Sequence, residues 1–228
     1  MDRVVGGGIR VTPAVLVYTL CVLALGASVY LSRGNVLEAR NNCEVILQTN
    51  KPVCGPFLDY WTGHGGADVQ GFPISGQFDE VSVTDGQTRT VQYFEKAVFE
   101  LHPEGVNGDR VQLAPLGRLS FEALYPNGVP VSLWDAALQG LPAPETAHNL
   151  EEPFLGYWLK SGGDAQFGTP LSKSFIEQIE GKPYKVQYFE RAKLELHPEQ
   201  GQTRYQVLPA SLGTALFAQR YPQGEPTP

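Results

Sequence analysis

Lysine and arginine never stand side by side in this chain, and together they number 17 against 24 acidic residues, a formal net charge of −7. Phosphate-backbone binding needs a basic patch, so this balance argues against nucleic acid as a partner. Catalytic signatures are also missing. There is no Gly-x-Ser-x-Gly nucleophile turn, no phosphate-loop spacing of glycines and no cysteine pattern of a zinc site. Nothing calls for a cofactor. Histidine occurs four times and cysteine three times, a thin supply of metal ligands. Cys21 lies inside an apolar run. Cys43 and Cys54 lie beyond it, eleven apart; the expectation is a disulfide closing a small loop in an oxidising compartment, the alternative a pair of free thiols.

What is present is a duplication. Residues 91–104 and 186–199 agree at eleven of fourteen positions, at an offset of 95. The similarity extends in both directions, so each copy must satisfy the same packing constraints. Phe57-Leu58-Asp59-Tyr60-Trp61 opens a first module, 57–126, and Phe154-Leu155-Gly156-Tyr157-Trp158 opens a second, 154–222. Phe57, Tyr60 and Trp61 fall at i, i+3 and i+4, one face of a helix. Pro56 and Pro153 suit its start, and Gly65-Gly66 and Gly162-Gly163 supply a left-handed stop. Strands are expected at Phe78–Val83 and Phe175–Glu180. The repeated stretch then alternates Ala97, Phe99 and Leu101 with Val98, Glu100 and His102, the pattern of a half-buried strand. The expectation is a three-stranded antiparallel meander. Leu116–Tyr125 and Leu212–Tyr221 have the spacing of a closing helix, stopped by Pro126 and Pro222. Residues 127–153 read as a linker with a helical turn at Ser132–Gln139, Trp134 facing inward, and 223–228 as a frayed tail.

Before the modules, residues 1–10 form a short Gly-rich head. Val11 to Leu31 follows without a charged side chain, long enough for a helix to cross a bilayer. The alternatives are an uncleaved signal anchor and a signal peptide cut near Gly26-Ala27-Ser28. The anchor is the expectation, giving a single-pass protein with its body outside the cytoplasm. Residues 32–56 then form a stalk holding the cysteine pair. The fold class expected is therefore α+β: an N-terminal transmembrane helix plus two homologous modules, each a short aromatic helix, a small antiparallel meander and a closing helix.

With these residues in place, the pattern resembles the LGFP-type repeat of bacterial exported, envelope-associated proteins. In the second copy it comprises Trp158, Gly162-Gly163, Gly168-Thr169-Pro170-Leu171-Ser172, Glu177 and Tyr188-Phe189-Glu190. In the first it comprises Trp61, Gly65-Gly66, Gly71-Phe72-Pro73-Ile74-Ser75, Glu80 and Tyr93-Phe94-Glu95. The likeness covers most of 57–222. It departs at Gln70-Gly71-Phe72-Pro73 and Phe167-Gly168-Thr169-Pro170, and in the Leu-His-Pro-Glu ending. The resemblance implies a non-catalytic module that helps hold proteins at the cell envelope.

Other chemistries weigh less. A metal at His102 with Glu104, or at His197 with Glu199, would need further ligands brought in by the fold. Glu95, Glu100, Glu190 and Glu195 would serve glycoside hydrolysis only if two carboxyls sat in different environments, and duplicated acids suit a structural repeat better. Trp61 and Trp158 are expected to face the core, which leaves Tyr60, Tyr157, Glu100, His102, Glu195 and His197 as candidate contact residues. The expected function is binding or scaffolding at the envelope, with wall polysaccharide or an envelope protein as partner. The rivals are a single-pass accessory subunit of a membrane complex and an envelope hydrolase.

Overall fold

Both faces of each module's sheet are apolar, and the two faces are covered from different parts of the chain. The computed structural model describes residues 42–105, 110–133, 150–201 and 206–226. In the first module, β3 (Pro73–Val81), β4 (Thr88–Phe94), β5 (Val98–Leu101) and β6 (Val111–Leu113) form one antiparallel sheet in sequence order. In the second, β7 (Phe175–Ile179), β8 (Lys182–Tyr188), β9 (Lys193–Leu196) and β10 (Val207–Pro209) repeat it. Each sheet thus has four strands where three were expected. The added strands, β6 and β10, are three residues long and too short to show a period.

The aromatic helices form as expected. Helix α1 (Pro56–Gly63) has proline in its first turn, and α4 (Phe154–Lys160) follows Pro153. Gly65 and Gly162, both left-handed with φ of 86° and 107°, turn the chain into the short helices α2 (Gly66–Val69) and α5 (Gly163–Phe167). Phe57 of α1 packs with Phe94, Phe99 and Leu113 on one face of the first sheet, and Trp61 packs against that cluster. The Trp61 indole N–H donates to Gly71 O at 3.0 Å, and Trp158 repeats this with Gly168 O at 3.2 Å. Both tryptophans are therefore committed to the scaffold.

The closing helices are exchanged between modules. Helix α3 (Leu116–Leu124) follows the first sheet, yet Phe121 and Tyr125 pack on Phe175, Val186 and Tyr188 of the second. Helix α6 (Leu212–Arg220) returns the favour, laying Leu216, Phe217 and Tyr221 against Val91, Tyr93 and Val98 of the first. Glycine permits the crossing. A Cβ at Gly117 would stand 2.0 Å from Phe189 O, and one at Gly213 would stand 2.0 Å from Phe94 O. In that space Arg118 N donates to Glu190 O at 2.9 Å, and Thr214 N to Glu95 O at 3.0 Å. The half-buried strand is overturned too, with α6 covering Val98. Val98, Glu100 and His102 were expected to face water but are only 2%, 2% and 5% exposed.

Residues 43–54, expected in a stalk, instead form the hairpin β1 (Cys43–Ile46) and β2 (Lys51–Cys54). Cys43 pairs with Cys54 across the ladder and the two form a disulfide. Ile46 and Val53 are buried in the first module's core, so the hairpin belongs to the fold. The tail is also tied down: Glu225 meets Lys51 at 2.9 Å and accepts from Gly76 N at 2.7 Å. The linker contains a 3₁₀ turn at Val131–Leu133. The rest of the expected Ser132–Gln139 turn, with Trp134, lies outside the described residues.

The fold class needs one further correction. The described chain is α+β with antiparallel sheets, and among its described residues no helix is long and apolar enough to cross a membrane. The transmembrane helix expected at 11–31 lies outside them. The fold class of the described residues therefore stands as two intertwined α+β modules.

Candidate functional site

The acid of each repeat is spent on the exchange. Glu80 on β3 accepts from Tyr93 OH at 2.8 Å and is also engaged by Arg220 and Tyr221 at the end of α6. Glu177 on β7 accepts from Tyr188 OH and Tyr125 OH, each at 2.9 Å, and from Lys193 Nζ at 2.7 Å. Burial first, then the neighbouring carboxylate, pushes the phenols of Tyr93, Tyr221, Tyr125 and Tyr188 above their ordinary range. A carboxylate enclosed by hydroxyl donors remains an acceptor, and no bond-making partner stands beside it.

The Glu-Leu-His-Pro-Glu endings place a histidine between two carboxylates. In the first copy, His102 Nε2 lies 3.5 Å from Glu100 Oε2, and Nδ1 lies 3.4 Å from Glu104 Oε1. In the second, His197 lies 3.1 Å from Glu195 and 2.9 Å from Glu199. Glu100 also accepts from Ser82 Oγ at 2.9 Å. Serine here faces the acid and not the imidazole, so the trio is not wired as a nucleophile with its base. Glu195 has Lys193 at 3.0 Å. Among the described residues, no group of three or more His, Cys, Asp or Glu side chains is arranged to hold a metal ion.

A solvent-facing cleft of about 480 Å³ opens where the modules meet, within the range of small-ligand sites. Tyr60 and His64 of the first module and Glu190 and Arg191 of the second line it. Arg118, at the start of the exchanged α3, lines it too, with Val111 and Leu113 of β6. The crossing of α3 therefore builds the cleft. Tyr60 and His64 are stacked, with ring centroids 3.9 Å apart and planes 9° from parallel. His64 Nδ1 lies 2.8 Å from Tyr60 O, which pins the imidazole while the residue stays exposed. Arg118 meets Glu190 at 3.1 Å, and Arg191 Nη1 donates to Asp164 O at 2.9 Å. A second hollow of about 320 Å³, holding Asp59 and Arg110, shares Tyr60, His64 and Val111 with the first.

No family model matches the chain, and no curated protein and no solved structure is similar to it.

Of the candidate contact residues named from sequence, only Tyr60 lines the cleft, joined by Glu190, which was weighed there as a hydrolytic carboxylate. Tyr157, its counterpart, is half-buried against the second core, and burial pushes its phenol up to about 12. Glu100 and His102 are interior, Glu195 is buried, and His197 is half-buried. Sequence reasoning missed His64, Arg118 and Arg191. The signal that would have found them is the difference between copies, since His64, Arg118 and Arg191 align with Ser161, Thr214 and Lys96.

Proposed function

We propose that this chain is a non-catalytic binding protein of the bacterial cell envelope, working outside the cytoplasm, with wall polysaccharide as its ligand and the inter-module cleft as its site. The observation that carries the reading is that the stacked Tyr60–His64 pair lines, together with Arg118 and Arg191, a cleft to which both modules contribute. Flat aromatic faces with a few convergent polar groups are how pockets orient ring-shaped, hydroxyl-rich ligands. The Cys43–Cys54 disulfide supports an oxidising compartment. The likeness of both modules to LGFP-type repeats supports the envelope.

Binding without turnover is favoured because the acids are otherwise engaged. Glu95 accepts from Phe72 N at 2.9 Å, Glu190 is held by Arg118 and Thr169 N, and Glu100 and Glu195 sit beside histidines. Hydrolysis of a glycoside requires one protonated and one ionised carboxyl flanking the same bond. No such pair lines the cleft.

The test is co-sedimentation of the full chain with purified insoluble bacterial wall polysaccharide. The expected result is saturable recovery in the pellet, with no release of soluble sugar on long incubation. Retention in the supernatant, with capture of a stoichiometric envelope protein instead, would replace this reading by that of an accessory subunit.

A further inference from the structure

The residues lining the cleft have counterparts in the other copy, and the two sets differ. Arg118 and Thr214 are each the third residue of an exchanged helix, and each donates its backbone N–H to the matching glutamate carbonyl of the opposite module. Their surroundings therefore correspond residue by residue. Where the cleft carries His64, Arg118, Arg191 and Ala165, the counterpart carries Ser161, Thr214, Lys96 and Asp68. The cleft lining itself has the two guanidinium groups of Arg118 and Arg191 against the one carboxylate of Glu190, whereas the matching positions of the counterpart have one ammonium, Lys96, against the carboxylates of Glu95 and Asp68. Even that ammonium is occupied. Lys96 Nζ donates to Asp68 O at 2.9 Å, and burial draws its pKa down. Beyond the lining, Arg110 and Asp59 of the adjoining hollow match Gln206 and Gly156, and Glu122, 3.6 Å from Arg118, matches Ala218.

A locally positive cleft in a chain of net charge −7 selects for anions by contrast with the surface around it. Guanidinium groups present a planar fork that matches a carboxylate or phosphate. The Arg118 side chain is 44% exposed and contacts Glu190 at 3.1 Å and Glu122 at 3.6 Å, leaving several of its five N–H donors for a ligand. The flat partner is likewise one-sided, because Ser161 offers no ring to stack above Tyr157.

We infer that the chain binds one anionic saccharide per molecule, its ring against the Tyr60–His64 stack and its carboxylate or phosphate held by Arg118 and Arg191, while the counterpart surface binds none. This rests on the proposed function above. Duplication here has produced one site and one scaffold, not two equal sites.

The test pellets the full chain with wall polysaccharide in three forms: untreated, with carboxylates amidated by carbodiimide, and with phosphodiesters stripped by hydrofluoric acid. Loss of binding by about tenfold or more after one treatment supports the inference and identifies the anion, that being the scale of a lost charged hydrogen bond. Undiminished binding after both treatments overturns it. The variant H64S/R118T/R191K gives the cleft the residues its counterpart already tolerates, so the fold should survive with an unchanged melting temperature. Its binding should fall by about tenfold or more. The reverse variant S161H/T214R/K96R/D68A should double the soluble wall oligosaccharide bound per chain at saturation, from one to two. If the natural chain pellets and H64S/R118T/R191K pellets equally well, the envelope reading stands and the single anionic site falls. If the natural chain does not pellet, the envelope reading itself falls and takes this inference with it.

Discussion

Glu80 and Glu177 occupy the same place in the two modules, and each holds the end of a helix sent over from the other half, but their positive charges arrive by different routes. Glu80 receives Arg220 from the visiting helix α6. Glu177 receives Lys193 from the module's own strand β9. The residues that would mirror these partners are Leu124, which is 59% exposed, and Val98, which is buried beneath α6. An ion pair to this acid thus holds the end of α6, whereas the end of α3 meets Glu177 through the Tyr125 hydroxyl and the ion pair of α3 with its host, Arg118 to Glu190, lies at its start. The charged partner has changed chain position while the aromatic frame around the acid has stayed. Ring packing is what both halves require, and the neutralising cation is free to come from either side.

The comparison breaks most completely if the crossing itself is blocked. A methyl group at Gly117 or Gly213 would meet a carbonyl oxygen at 2.0 Å in either copy. G117A and G213A should therefore each cost about 3 kcal/mol or more, the upper range for forced overpacking. Because each helix covers the other module's sheet, denaturant unfolding of either variant should remain a single shifted transition. Two separated transitions would show that the modules stand independently.

The next effect separates the two clamps. R220L removes the cation from the visiting helix and should cost about 2 kcal/mol, as for a partly buried charged hydrogen bond. It should also speed amide exchange within α6. K193V removes the cation at Glu177 without touching α3, so amide exchange in α3 should stay near the natural rate. Equal loosening of both helices would cancel the distinction drawn between them.

The smallest effect is on pH dependence, and here the halves should behave alike. Tyr93 and Tyr221 around Glu80, and Tyr125 and Tyr188 around Glu177, hold their protons above the ordinary phenol value of 10.0 because they are buried beside a carboxylate. Above that value the unfolded chain releases protons that the folded chain keeps. Stability is therefore full below pH 10.0 and declines as pH rises beyond it. Ultraviolet titration of tyrosine should show these phenols ionising only with unfolding. Y93F and Y188F should each flatten the alkaline decline. At the acid end, the hydrogen bond from His197 holds Glu199 below its ordinary value of 4.5, so its contribution is present above that value and fades as pH falls.

Much of the scaffold was written in local pattern. Phe57, Tyr60 and Trp61 announce α1 by their spacing, Gly65 marks its end, and the repeated Val-Gln-Tyr-Phe-Glu locates β4 and β8. Which sheet a closing helix covers has no local signature. Phe121 reads the same whether it rests on Tyr93 or on Tyr188, and only the tertiary path decides. The same blind spot explains Val98, whose place in an alternating strand suggested water until a helix from the other half covered it. The cleft was hidden for a related reason. Its residues come from α1, β6, α3 and the turn after β8, far apart in sequence. Attention to what the copies share pointed toward the frame and away from the place where they differ.

The reciprocal seating of α3 and α6 has a topological corollary. Severed between residues 133 and 150, the chain would yield two fragments, each with a bare sheet face and an arm that fits somebody else. Neither could close upon itself, but two identical fragments could trade arms around a twofold axis and leave no apolar surface in water. The tandem chain is such a reciprocal pair written as one polypeptide, and joining the halves allowed one rim to change without the other.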